Sequence, residues 1–137
     1  MVMQDREEVR LSVEKRRLGS YANRSRWNIF FNSLHDFQRQ AEHSLRVRVK
    51  VVSRDNISDW KGGWLTHGSG YFEHIGVGPM LFSYIEWLDI ESIYEKHRGK
   101  LVSPEVINVQ EEIQKIVLQS KLTSISEKNY TRVWGYK

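Results

Sequence analysis

Apolar positions recur along this chain with two periods. Leu45, Val47, Val49 and Val51 alternate with Arg46, Arg48 and Lys50, which is the period of a strand with one buried and one wet face. Upstream the period lengthens. Trp27, Phe30, Phe31, Leu34 and Ala41 fall on one helical face with Phe37 near it. This predicts a helix over roughly Arg26 to Glu42, with Ser25 as its cap and His35 on its flank. The longest apolar stretch, Gly76 to Ile90, opens on a Gly/Pro turn. Phe82, Tyr84, Leu88 and Ile90 share one parity, and Leu81, Ile85 and Trp87 share the other. A strand apolar on both faces belongs in the interior of a sheet, so this segment is read as the central strand. Pro79 cannot donate a ladder bond and belongs at or before its start.

Other segments are read from the same patterns. Tyr71 to Val77 reads as a strand entering the central one through a hairpin-like turn, with antiparallel neighbours. The run Glu91 to Lys100 is polar, after which Leu101 and Val102 are expected to return to the core. Asn108 followed by Glu111 resembles a capping box ahead of Val109, Ile113, Ile116 and Val117, predicting a second helix over about Val109 to Ser120. Tyr130 to Tyr136 is rich in β-formers and reads as a last strand, which needs a sheet neighbour. The first residues are ambiguous: Val9, Leu11 and Val13 alternate as in a short strand, and Asp5 to Lys15 equally suits a charged helix. The expectation is one α+β domain over residues 23–137, with residues 1–22 as an extension. Its mainly antiparallel sheet would have about four to five strands, packed by two main helices.

Composition narrows the function. A chain of 137 residues suits one domain. It has no cysteine, so disulfides are impossible, in keeping with a cytoplasmic location. No apolar run reaches the length of a membrane span, and Asp5, Glu7 and Glu8 stand where a signal peptide would be basic then apolar. The five histidines are scattered without the helical spacing of a zinc site, and Glu73 and His74 would point to opposite faces of a strand, so neither metal nor cofactor is expected. A net charge of +4 favours acidic partners only modestly.

Candidate chemistry concentrates in two places. One is the basic stripe Arg46, Arg48 and Lys50. It reads either as a solvated face balanced by acids on a neighbouring strand or as a docking face for an acidic protein or phosphates. No aromatic residue interleaves with it along its own strand, which disfavours base stacking. The other is the glycine-rich loop in which Trp60 and Trp64 bracket Lys61-Gly62-Gly63, followed by His67-Gly68-Ser69-Gly70. It matches neither the hydrolase nucleophile elbow nor a phosphate-binding loop. Its tryptophans read either as caps on the core edge or as partner anchors. Glu86, between Ile85 and Trp87, reads as a carboxylate that reaches solvent or a strand arginine, or as a partly buried functional one. Lys15-Arg16-Arg17 reads as a solvated basic edge or a phosphate contact.

Trp27-Asn28, Gly76-Val77-Gly78-Pro79, Tyr84-Ile85-Glu86-Trp87-Leu88-Asp89-Ile90, Arg98-Gly99-Lys100-Leu101-Val102 and Val133-Trp134-Gly135-Tyr136 together resemble a family of uncharacterised small bacterial proteins, over about Arg24 to Lys137. In size the family is similar to immunity proteins, which bind and neutralise a cognate toxin. The resemblance implies a non-enzymatic binding module whose partner is a toxin domain. Trp60, Lys61, Trp64, His67, Arg46, Arg48 and Lys50 are its expected contact residues. Nuclease inhibitors tend to be acidic, so the basic charge of this chain disfavours a nuclease target. A nucleic-acid binder using the basic strand face, with Arg24 and Arg26, is the alternative. An enzyme using Glu86 or His67 lacks a second group at a defined spacing.

Overall fold

The computed structural model describes residues 3–137, with side chains from Arg6 onward. The elements run α1 (Met3–Arg16), α2 (Arg24–Ala41), β1 (Leu45–Val51), β2 (Lys61–Gly63), β3 (Leu65–Gly68), β4 (Tyr71–His74), β5 (Gly78–Leu81), β6 (Ile85–Glu91), β7 (Ile93–Lys96), β8 (Glu105–Asn108), α3 (Gln110–Ser120), β9 (Ser124–Ser126) and β10 (Tyr130–Trp134). The chain forms one α+β domain. A five-stranded antiparallel sheet has the order β2-β1-β6-β10-β9, a second sheet has the order β3-β4-β5, and β7 pairs with β8.

The central strand is β6, fully buried along its length. The stretch Gly76 to Ile90 nevertheless divides. Gly78–Leu81 forms β5 of the smaller sheet, a 3-10 turn at Phe82–Tyr84 redirects the chain, and β6 begins only at Ile85. Tyr71 to Val77 likewise ends as a strand at His74, and its hairpin partner is β5, not β6. Pro79 is tolerated because β5 is an edge strand.

α2 starts earlier than expected. Asn23, not Ser25, is its cap, accepting a 2.8 Å bond from the Arg26 amide, and Glu42 ends it in the left-handed conformation. Its apolar face buries Trp27, Phe30, Phe31 and Leu34. Phe31 stacks on Phe72 of β4 and on Phe82, with centroids 4.9 and 5.1 Å away. Each such ring contributes roughly 1.5–3 kcal/mol through burial. Gln38, fully buried on the same helix, donates to the Leu65 carbonyl at 2.8 Å and accepts from its amide at 2.9 Å. The amide side chain thereby pairs with β3 as another strand would. α3 packs beside α2, burying Ile113, Ile116 and Val117. Val109 rather than Asn108 stands at its N-cap, and Asn108 accepts instead from the Gln110 amide at 3.1 Å.

Residues of the expected extension are docked on the domain. Residues 3–16 are helical, and Val9 packs with Val52 and Tyr84. Ser20 then bridges Tyr136, and Gly19 exchanges two backbone bonds with Lys137. Met1 and Val2 lie outside the described residues. Close approach to β6 explains Gly135: a Cβ there would lie 2.1 Å from the Ile85 carbonyl oxygen. Leu101 and Val102 do not return to the core. They are wholly and half exposed, on the connection between β7 and β8, whose pairing spans Ile93 to Asn108.

Candidate functional site: the open face of the five-stranded sheet

α2 and α3 cover one face of this sheet, made by Leu45, Val47 and Val49 of β1, Leu88 and Ile90 of β6, and Val133 of β10. Alternation sends the intervening residues to the other face. From β1 come Arg46, Arg48 and Lys50, of which Arg48 and Lys50 stand opposite Asp89 and Trp87 of β6, and from β10 come Tyr130, Arg132 and Trp134. One irregularity adds a residue to this face. Lys50 is opposite Trp87 and Val51 is opposite Ile85, so Glu86 is the extra residue of a β-bulge. A bulge puts successive side chains on one side, which lets Ile85 enter the core while Glu86 and Trp87 leave it.

The face is an ordered network of charges and rings. Asp89, at its centre, is fully buried. It accepts from Arg48 Nε at 2.8 Å on Oδ2, and from Arg132 Nε at 2.8 Å on Oδ1 and Nη2 at 3.1 Å on Oδ2. Three charge-assisted bonds to one carboxylate hold both guanidinium planes in place. Arg132 lies over Trp87, 3.7 Å from the ring centroid. Arg48 lies 4.5 Å from the Trp60 ring and 4.9 Å from that of Tyr130, and Trp60 meets Tyr130 edge-on at 5.9 Å. Trp134 stands directly across from Trp87, with Lys137 Nζ 5.3 Å from its ring. Around this centre Arg46 pairs with Glu91 at 3.1 Å and Lys50 with Glu86 at 3.0 Å. Glu86 also takes a short bond from Arg16 at the end of α1. Asp89 holds the Arg132 guanidinium charged and raises its pKa, whereas burial pushes the Glu91 carboxyl up, against the pull of Arg46 and Arg48.

The basic stripe is therefore balanced residue by residue by acids of the neighbouring strand. Trp60 joins it, and the other expected contact residues do not. Lys61 lies opposite Val47 on β2, with its stem against Gly76. Trp64, half exposed, lines a shallow pocket of about 320 Å3 on the smaller sheet together with His74, Ile75 and Pro79. His67 pairs with Phe72 on that same sheet. The Trp60–Trp64 segment thus divides between two surfaces. Missing from the expected set were Trp87, Asp89, Glu91, Tyr130, Arg132 and Trp134. Alternation in Tyr130-Thr131-Arg132-Val133-Trp134 was the available signal, since it puts one arginine between two aromatics on a single face.

Among the described residues no group of three or more His, Cys, Asp or Glu is arranged to hold a metal ion, and no helix is long and apolar enough to cross a membrane. The open face presents ordered guanidinium edges and ring surfaces. Comparison with curated proteins and with solved structures returned no match. Residues 9–137 match a family of unknown function (DUF6678), and the chain belongs to that family.

Proposed function

We propose that this chain is a protein-binding module without catalytic activity of its own, an immunity-type protein that neutralises a cognate toxin domain, and that it binds through the open face of the five-stranded sheet. The observation that carries the reading is the buried Asp89 clamping Arg48 and Arg132 against Trp60, Tyr130 and Trp87. Arg, Trp and Tyr are the residue types that dominate interface energetics. Arginines already immobilised lose little freedom when a partner arrives. A toxin met inside the producing cell puts the protein in the cytoplasm, in keeping with the lack of cysteine.

The test is reconstitution with the product of the neighbouring gene. A stable one-to-one complex is expected, in which Trp60→Ala or Trp134→Ala weakens binding by about 2–4 kcal/mol. Arg46→Ala, at the rim, mainly slows association and reduces its salt dependence. The reading is lost if no complex forms. It is also lost if these substitutions leave binding intact while one at Leu118, exposed on α3, abolishes it.

A second reading has one observation in its favour. Tyr130, Trp134 and Trp60 interleave with the arginines across strands, supplying the stacking surfaces that β1 alone lacks. Against it, Glu86, Asp89 and Glu91 already pair with the cations of this face and repel phosphate. A salt-sensitive mobility shift with single-stranded nucleic acid, abolished by Arg132→Ala, would favour this reading over protein binding.

A further inference from the structure

A second concavity lies where α1 crosses the body, a cavity of about 590 Å3. That is within the range of small-molecule sites. Val9 and Val13 of α1, with Trp27 and Phe82, give it apolar walls, and Arg6 and Arg24 bring cations to it. Arg10 also lines it but is held by Glu7 and Glu14. Neither Arg6 nor Arg24 has an ion-pair partner among the described residues.

The exposed Arg24 side chain reaches Gly70: a Cβ there would lie 3.1–3.2 Å from its Nη2, Cζ and Nε atoms. The φ of +84° at that position favours glycine. Arg24 is also the first residue of α2, whose first turn carries Arg26 and no acid. Helix N-termini favour negative charge, so an anion held by Arg24 would also meet the positive end of α2. Tyr84, almost wholly buried, also lines the cavity.

We infer that this cavity binds a small amphipathic carboxylate, with the carboxylate on Arg24 and Arg6 and the apolar body along Val9, Val13, Trp27 and Phe82. The site is separate from the open sheet face and does not depend on the reading given to that face. Titration calorimetry of the full chain with octanoate, octanol and inorganic phosphate tests it. Octanoate is expected to bind saturably, octanol at least about tenfold more weakly for want of the charge, and phosphate without saturation. Arg24→Ala is expected to weaken octanoate at least about tenfold, with Arg6→Ala changing in the same direction, while Arg26→Ala leaves it unaltered. Melting curves of the three variants establish that each is folded. The inference is overturned if octanoate fails to saturate wild type, if it binds the folded Arg24→Ala and Arg6→Ala proteins as tightly as wild type, or if phosphate binds as tightly as octanoate.

Discussion

Leu88 and Asp89 are neighbours on β6 and both are wholly buried, yet they are kept from water by different physics. Leu88 faces α2 and α3, where aliphatic and aromatic groups exclude solvent and stability scales with the apolar area removed. Asp89 faces outward and is covered by the arginines that bind it, each with about a quarter of its side chain exposed. One face is closed by packing and the other by salt bridges and cation–π contacts. A packed face has a single good arrangement and little left to offer a partner. A charge-and-ring face is ordered before contact and still presents donor edges and ring surfaces, which supports the binding role proposed for it.

Trp87→Ala tests that comparison most severely. The ring is 3% exposed and lies beneath the Arg132 guanidinium. Its loss is expected to cost about 3–5 kcal/mol, as in a closed core. A loss below about 1 kcal/mol on denaturant melting would mean that the open face contributes little to folding.

Asp89→Asn comes next. It leaves Arg48 and Arg132 without their counter-ion, but both reach solvent, so the expected destabilisation is about 2 kcal/mol rather than that of a deeply buried unpaired charge. Wild-type stability in chemical denaturation would show that the clamp is energetically neutral.

Titration separates the two kinds of burial further. His74 is buried between the sheets without a charged partner. Its Nδ1 accepts from the Gly76 amide at 3.1 Å and its Nε2 faces the Leu45 carbonyl at 3.4 Å. Burial lowers its pKa below the ordinary 6.5, so the unfolded chain binds the extra proton more readily. Its contribution to stability is present above pH 6.5 and lost as pH falls from there through the folded pKa. Glu91 has the opposite sign: burial raises its pKa above 4.5, so its contribution is present below that pH and fades as pH rises through the folded pKa. The difference in melting temperature between wild type and His74→Gln is therefore expected to shrink on acidification below pH 6.5. A constant difference would show that His74 does not titrate with unfolding.

The smallest effect is expected at Trp64, which belongs to neither face of the large sheet. Half exposed on the smaller one, it should change stability by no more than about 0.5 kcal/mol when replaced by alanine. A cooperative loss of several degrees in melting temperature would make it part of the core.

Local pattern by itself determined a good part of this protein. The helix through Trp27 and Phe31, the strand through Val47 and Val49, the buried strand through Leu88 and Ile90 and the last strand through Val133 are each written in nearest-neighbour periodicity, which needs no knowledge of the rest of the chain. Balancing of Arg46, Arg48 and Lys50 by acids was one of two readings their strand allowed, and pairing with β6 supplies those acids. Three things were decided only by tertiary structure. The run Gly76 to Ile90 is continuous in hydropathy, and only the demands of two separate sheets break it at Phe82–Tyr84. The parity of β6 is overturned at Glu86, where a bulge set by register against β1 puts Glu86 on the open face beside Trp87 and returns Ile85 to the core. The aromatic groups that accompany the basic stripe come from Trp60, Trp87, Tyr130 and Trp134, which are far from it in the chain. Strand order is the property that brings them together, and it depends on which long-range pairings close the common core, not on any pattern a single segment carries.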